Sequence, residues 1–176
     1  MLFFWVRRNR VRFKWPRIVV EQLSREDLMK ITFSEPGLPK TGTVIVCVGD
    51  GGELSTTARH LDKAAGGAVA RAIKESRFSG KKGQFLDIIA PTGVASGRIV
   101  LAGVGKGLDE TGQQALGGRL YARLNQAGIK VAHLAVEAMG KNLALSAANI
   151  AYGARLRSYR FDKYRTKEKA DAKPTL

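Results

Sequence analysis

The chain has 176 residues, 44% of them hydrophobic, the size and make-up of one soluble globular domain, which excludes general disorder. Its single cysteine, Cys47, excludes an internal disulfide and a paired-cysteine metal site and fits a reducing, cytoplasmic setting. The net charge of +15 points toward nucleic acid or an anionic surface, yet residues 1–20 carry six basic and no acidic side chains and residues 155–176 carry eight and three, so most of the charge belongs to the two ends.

The chain opens with Leu2 to Val6, its longest strongly apolar run, which is too short to span a bilayer. This run also precedes its positive charges, the wrong order for a secretory signal. Arg8, Arg10, Arg12 and Lys14 then alternate with Val11, Phe13 and Trp15. Such a period-two pattern suits a basic-faced strand, while Pro16 and the lack of a turn suit an unstructured segment equally well. Met29 opens the first clean strand-like run, Lys30 to Phe33. Met29 is therefore the expected native start of the domain, and residues 1–28 are expected to be a disordered basic extension.

From Met29 onward strands and helices alternate. Thr43 to Val48 is a β-branched run closed by the turn cluster Gly49-Asp50-Gly51-Gly52. Ser55 to Ser76 has helical spacing, with Ala58, Leu61 and Ala65 on one face, a break at Gly66-Gly67, and Val69, Ala72 and Ile73 beyond it. Phe85 to Ala90 and Arg98 to Val104 are further strands, joined by a loop containing Pro91, Gly93 and Gly97. Thr111 to Ala127 is a helix with Leu116, Leu120 and Leu124 in line and Gly128 as its stop signal. Its Gly117-Gly118 pair costs about 1 kcal/mol per glycine relative to alanine, so close packing against the sheet is expected there. Val131 to Val136 is another strand, and Ser146 is the expected cap of a last helix. Together these predict an α/β fold with a mixed, mainly parallel central sheet and helices on both faces.

Sequence patterns that carry chemistry are mostly incomplete. Gly103-Val104-Gly105 lacks the third glycine of a dinucleotide fingerprint, since Leu108 stands there, and Gly105-Lys106-Gly107 breaks the phosphate-loop pattern. His60 and Asp62 do not share a helical face, and His133 sits within a strand. Neither histidine has metal-ligand spacing to another ligand. Cys47 reads as a small buried hydrophobe. No catalytic or metal-ligating residue is assigned, and the chain is expected to be inactive alone.

The segment Gly153 to Lys167 stands apart, interleaving Tyr159, Phe161 and Tyr164 with five basic residues between Arg155 and Arg165. Tyr152, Leu156 and Tyr159 form a helical stripe suited to packing on the sheet or on a second domain. With Phe161 and Tyr164 they are the candidate interdomain contacts. Arg155, Arg157 and Arg160 are candidate nucleic-acid contacts, through phosphate pairing beside stacking aromatics.

The run Ala154 to Arg165 (Ala-Arg-Leu-Arg-Ser-Tyr-Arg-Phe-Asp-Lys-Tyr-Arg) resembles the segment that closes the N-terminal domain of leucyl (cytosol) aminopeptidases of the bacterial type. Gly66 to Val69 with Ala72-Ile73, Phe78 to Gly83, and Val100 to Lys106 are similar to that family's first helical region, the approach to its next strand, and the strand and turn that follow. The resemblance implies a macro-domain-like α/β fold over residues 29–160, with 161–176 a truncated interdomain linker. In the family this domain precedes a larger C-terminal one that binds two divalent metals (zinc, manganese or magnesium). The complete enzymes release N-terminal residues, preferentially leucine, and assemble as cytoplasmic hexamers.

The family's catalytic motifs, such as Asn-Thr-Asp-Ala-Glu-Gly-Arg, have no match in this chain. The implied role is therefore non-catalytic, in subunit contacts and active-site access, with no cofactor of its own and a missing or separate catalytic domain as partner. Two other readings follow from the charged ends and the family: a DNA-binding module, since some bacterial members double as DNA-binding regulators, or a macro-domain-like binder of ADP-ribose or a similar nucleotide. No membrane partner is expected.

Overall fold

The computed structural model describes residues 2–5, 29–34, 39, 41–137 and 142–159. Among them, six strands form one sheet in the order β2-β1-β6-β3-β5-β4. The strands are β1 (Leu2–Trp5), β2 (Ile31–Ser34), β3 (Thr43–Gly49), β4 (Phe85–Ile89), β5 (Arg98–Gly105) and β6 (Ala132–Ala135). All neighbours run parallel except β4, which lies antiparallel on β5 at the sheet edge. The helices are α1 (Thr56–Ala64), α2 (Ala68–Glu75), α3 (Glu110–Gln126) and α4 (Leu143–Ser158).

The apolar runs read as strands because the sheet is covered on both faces. In β3, Ile45 and Cys47 point into one core with Val100, Ala102 and Val104 of β5 and Ala132 and Leu134 of β6; α3 and α4 close it with Leu116, Leu120, Leu124, Ala147 and Ile150. The alternate residues Val44, Val46 and Val48 enter a second core with Ile99 and Leu101, closed by Ala58, Leu61 and Ala65 at α1 and by Val69 of α2. This is the mixed, mainly parallel α/β sheet with helices on both faces that the alternation predicts.

Local chemistry sets the helix ends. Ser55 caps α1 by accepting from the Ala58 N–H at 3.2 Å. The break at Gly66-Gly67 is real: Gly67 is left-handed, at φ 78°, and has no side chain to cap α2. Asp62 takes over, its Oδ1 accepting from the Val69 and Ala70 N–H groups at 2.8 and 3.0 Å. After α3 the Gly128 N–H bonds the Asn125 carbonyl and the Ile129 N–H that of Leu124, each at 3.0 Å, with Gly128 at φ 65°. That is the left-handed stop expected of this glycine.

Three expectations are corrected. Leu2–Trp5 lies inside the expected disordered extension but forms a strand between β2 and β6; its four backbone units find ladder partners on both sides. Residues 6–28, with their basic-aromatic alternation, lie outside the described residues, as do 160–176. The last helix starts earlier than Ser146, because Asn142 accepts from the Leu145 N–H at 3.1 Å and so caps it at Leu143. Lastly, Gly117 packs against α4 and not the sheet: a Cβ there would collide with the Ile150 carbonyl oxygen, and one on Gly153 with that of Gln114.

Candidate functional site

α4 holds the described part of the closing segment. One face is buried, through Ser146, Ala147, Ile150, Ala151, Gly153 and Ala154. Small residues dominate that face because α3 lies so near; Gly117 and Gly153 each leave the space a neighbouring carbonyl needs. Above the glycines a polar clasp joins the helices. Gln113 donates to the Leu108 carbonyl at 3.0 Å and to the Ser146 hydroxyl at 3.1 Å, and accepts from the Asn149 amide at 2.9 Å.

The opposite face carries the stripe read from the sequence. Tyr152, Leu156 and Tyr159 are 54%, 56% and 71% exposed, and Leu145, not singled out beforehand, extends the line one end further. Its spacing of seven from Tyr152 was the signal available. The stripe does not pack on the sheet, whose side of α4 is taken by the alanines and Ile150. α4 contains no acidic residue, and Arg155 and Arg157 flank the stripe, both exposed. The two arginines differ in their partners, since Arg155 donates from Nη1 to the Met29 carbonyl at 2.8 Å. Phe161, Tyr164 and Arg160 lie outside the described residues.

Elsewhere the fold offers little chemistry. No cluster of three or more His, Cys, Asp or Glu side chains that could hold a metal occurs among the described residues. These residues do not fit the two-metal centre that the resemblance implies for the complete enzyme, which needs a carboxylate set to hold its ions. Cys47 is fully buried, and desolvation pushes its thiol up to about 12. The His133 imidazole is pushed below its ordinary value by burial, against the opposing pull of a backbone hydrogen bond at Thr41. His60 is exposed on α1. Glu137 accepts from the Thr57 N–H at 2.8 Å, so its carboxylate already sits on the first turn of α1.

The C-terminal ends of β3 and β5 are where open α/β sheets usually bind ligands. Here the segment from Phe78 to Gln84 lies across them. The Gly80 carbonyl accepts from the Gly105 N–H at 2.8 Å, and that of Ser79 from the Gly52 N–H at 3.1 Å. A Cβ on Gly80, at φ 74°, would strike the Gly49 carbonyl oxygen. Gln84 holds the loop in shape, its Oε1 accepting from the Ser79 and Lys81 N–H groups at 2.9 and 3.1 Å. No described helix is long and apolar enough to cross a membrane.

Comparison with known proteins agrees with the resemblance. The model of the cytosol aminopeptidase family, N-terminal domain, matches residues 45–168. A probable cytosol aminopeptidase of Caulobacter vibrioides is 41% identical over 138 residues, covering 77% of this chain and 27% of that protein. One from Rhodopseudomonas palustris (strain TIE-1) is 35% identical over 147 residues, covering 82% of this chain and 29% of that protein. The chain thus spans little more than a quarter of the length of these relatives. In fold it is similar to a mutant of tomato leucine aminopeptidase, with a TM-score of 0.62 and 23% identity over 87% of this chain and 32% of that one.

Proposed function

The chain belongs to the cytosol aminopeptidase family and matches its N-terminal domain, and from that premise we propose that it is a non-catalytic docking domain of a leucyl aminopeptidase. Its partner is the catalytic domain, in the same or a separate polypeptide, which holds the two divalent metals and releases N-terminal amino acids from peptides. The domain comprises β1 together with residues 29–160 and acts in the cytoplasm, shaping subunit contacts in a homo-oligomer and access to the active site.

One observation carries this reading: the exposed stripe Tyr152, Leu156 and Tyr159 lies near the end of the family-matched segment. Three large apolar side chains aligned on one helix face are a surface that association would remove from water. At roughly 25 cal/mol per Å² of apolar area, covering them would contribute several kcal/mol to docking before the entropy of association is subtracted. Arg155 and Arg157 beside the stripe favour a partner rim bearing carboxylates.

Mixing this chain with the catalytic domain of the Caulobacter vibrioides relative tests the proposal. The chain alone should not hydrolyse leucine p-nitroanilide with added manganese, and it should bind the catalytic domain. Tyr152→Ser with Leu156→Ser should weaken that binding at least tenfold while leaving the circular dichroism unchanged. Metal-dependent turnover by the chain alone would overturn the reading, as would binding indifferent to the stripe. Salt-sensitive binding of DNA, or calorimetric binding of ADP-ribose, without any affinity for the catalytic domain would replace it.

A further inference from the structure

Two neighbouring strands of this chain, β1 beside β6 and β2 beyond it, share one register relative to β6. Leu2 of β1 is the Cα partner of Ala132 on one side and of Ile31 on the other, and the match continues through Trp5, opposite Ala135 and Ser34. Both pairings are parallel, and both strands have four residues. If β1 left the sheet, β2 would meet β6 by a lateral move of one strand spacing, about 4.8 Å, without sliding or reversing. No side chain of β2 would change face, because the register parity is kept.

We propose that the edge of β6 is a strand-binding site that β1 and β2 can each fill, β1 being an exchangeable insert that β2 replaces in the same register. Three further observations support it. Met29, just ahead of β2, is already buried in the core that α3 and α4 close, and its carbonyl is held by Arg155. Ile31 also packs against that core, so β2 already turns its first residue to the same core as Ala132 and Leu134 of β6. The 25 residues between Trp5 and Ile31 exceed in number the dozen or so that a parallel crossover needs.

The third observation is chemical. Thr32 Oγ1 is buried with no hydrogen-bond partner while β1 is in place. Phe3 is the Cα partner of both Thr32 and His133, so β1 alone separates these two residues. Replacement brings the Thr32 hydroxyl opposite the His133 imidazole, a polar neighbour of complementary chemistry on the same sheet face. The exchanged sheet reads β2-β6-β3-β5-β4.

The test uses the full chain with Cys47→Ala and cysteines at Thr32→Cys and His133→Cys. With β1 in place their Cα atoms stand two strand spacings apart, about 9.6 Å, beyond disulfide reach; after exchange they are one spacing apart and within it. Adding Phe3→Pro removes a ladder donor from β1 and should expel it. Under mild oxidation the disulfide should form at least tenfold faster in the proline variant, and Ser34→Cys with Ala135→Cys should behave alike. In the same variant, without the paired cysteines, hydrogen exchange at the β6 amides should stay within about threefold of the parent, because β2 takes the place of β1. Equal cross-linking with and without Phe3→Pro would overturn the proposal. So would a folded proline variant with no cross-link and exposed β6 amides, or one that unfolds, since β1 would then be indispensable.

Discussion

Gly117 of α3 lies against the main-chain carbonyl of Ile150 in α4, with no room for a Cβ between them. On the facing helix Gly153 stands in the same relation to the carbonyl of Gln114. Each glycine weakens its own helix by about 1 kcal/mol, and in return the two backbones approach closely enough to seat α4 on the sheet. The exposed stripe of α4 is aimed by that seat.

Gly117→Ala and Gly153→Ala are each expected to destabilise the fold by about 1–3 kcal/mol, through overpacking against backbone that cannot yield. Urea unfolding should show a lower midpoint at unchanged slope. Gly118→Ala is the contrast, because its Cβ would meet the Arg157 side chain and the Gly153 carbonyl oxygen at 3.6 Å each, an ordinary van der Waals distance. It should raise stability by up to ~1 kcal/mol through helix propensity. Equal losses at 117 and 118 would disprove the close-approach account.

The polar clasp above the glycines should matter for a different reason. Gln113→Ala removes the donor to the Ser146 hydroxyl and the Leu108 carbonyl and the acceptor of the Asn149 amide. A loss of about 1–3 kcal/mol is expected in thermal or urea unfolding. A change under about 0.5 kcal/mol would mean that water replaces the glutamine freely.

Cys47 should be silent in the native state. Burial pushes its thiol from 9.0 to about 12, and the reactive thiolate is scarce below that. An aromatic disulfide reagent at pH 8 should therefore modify it only as fast as the protein opens. The folded value lies above the unfolded one, so the linked stability is complete below pH 9 and is lost as pH rises from 9 toward 12. Cys47→Ala should flatten that part of the profile.

His133 has the opposite sign. Burial disfavours its charged form, so its folded value lies below the ordinary 6.5. The unfolded chain then binds the extra proton more readily. Stability linked to this group is present above about pH 6.5 and declines as pH falls below it. His133→Gln should reduce the slope of the unfolding midpoint between pH 7 and pH 5, and an unchanged slope would assign the dependence to other groups.

Much of this fold was legible from local pattern. The buried strands β3 and β5 announce themselves as runs of apolar residues between turn glycines, and α3 by its leucines and the Gly128 stop. The stripe Tyr152, Leu156, Tyr159 was legible too, as spacing. Less legible was what each feature would face. Gly117-Gly118 signals close approach, but the approach is to α4, and only one of the two glycines is needed for it. Ser146 is a good cap by type, yet Asn142 takes that role because Ser146 is buried against Gln113. Leu2–Trp5 carries no turn or caps, and only its pairing with β2 and β6, both distant along the chain, marks it as a strand.

By itself, the sequence determined the order of elements, the two-faced sheet and the absence of known catalytic motifs, because hydrophobic period, caps and turn residues act within a few positions along the chain. Only the tertiary structure decided that α4 turns its small residues to α3 and its aromatics outward, that Asp62 caps α2 across a glycine break, and that the loop from Phe78 to Gln84 covers the strand ends. Those outcomes depend on carbonyls and side chains brought together from distant positions, where one missing Cβ sets how near two helices can come.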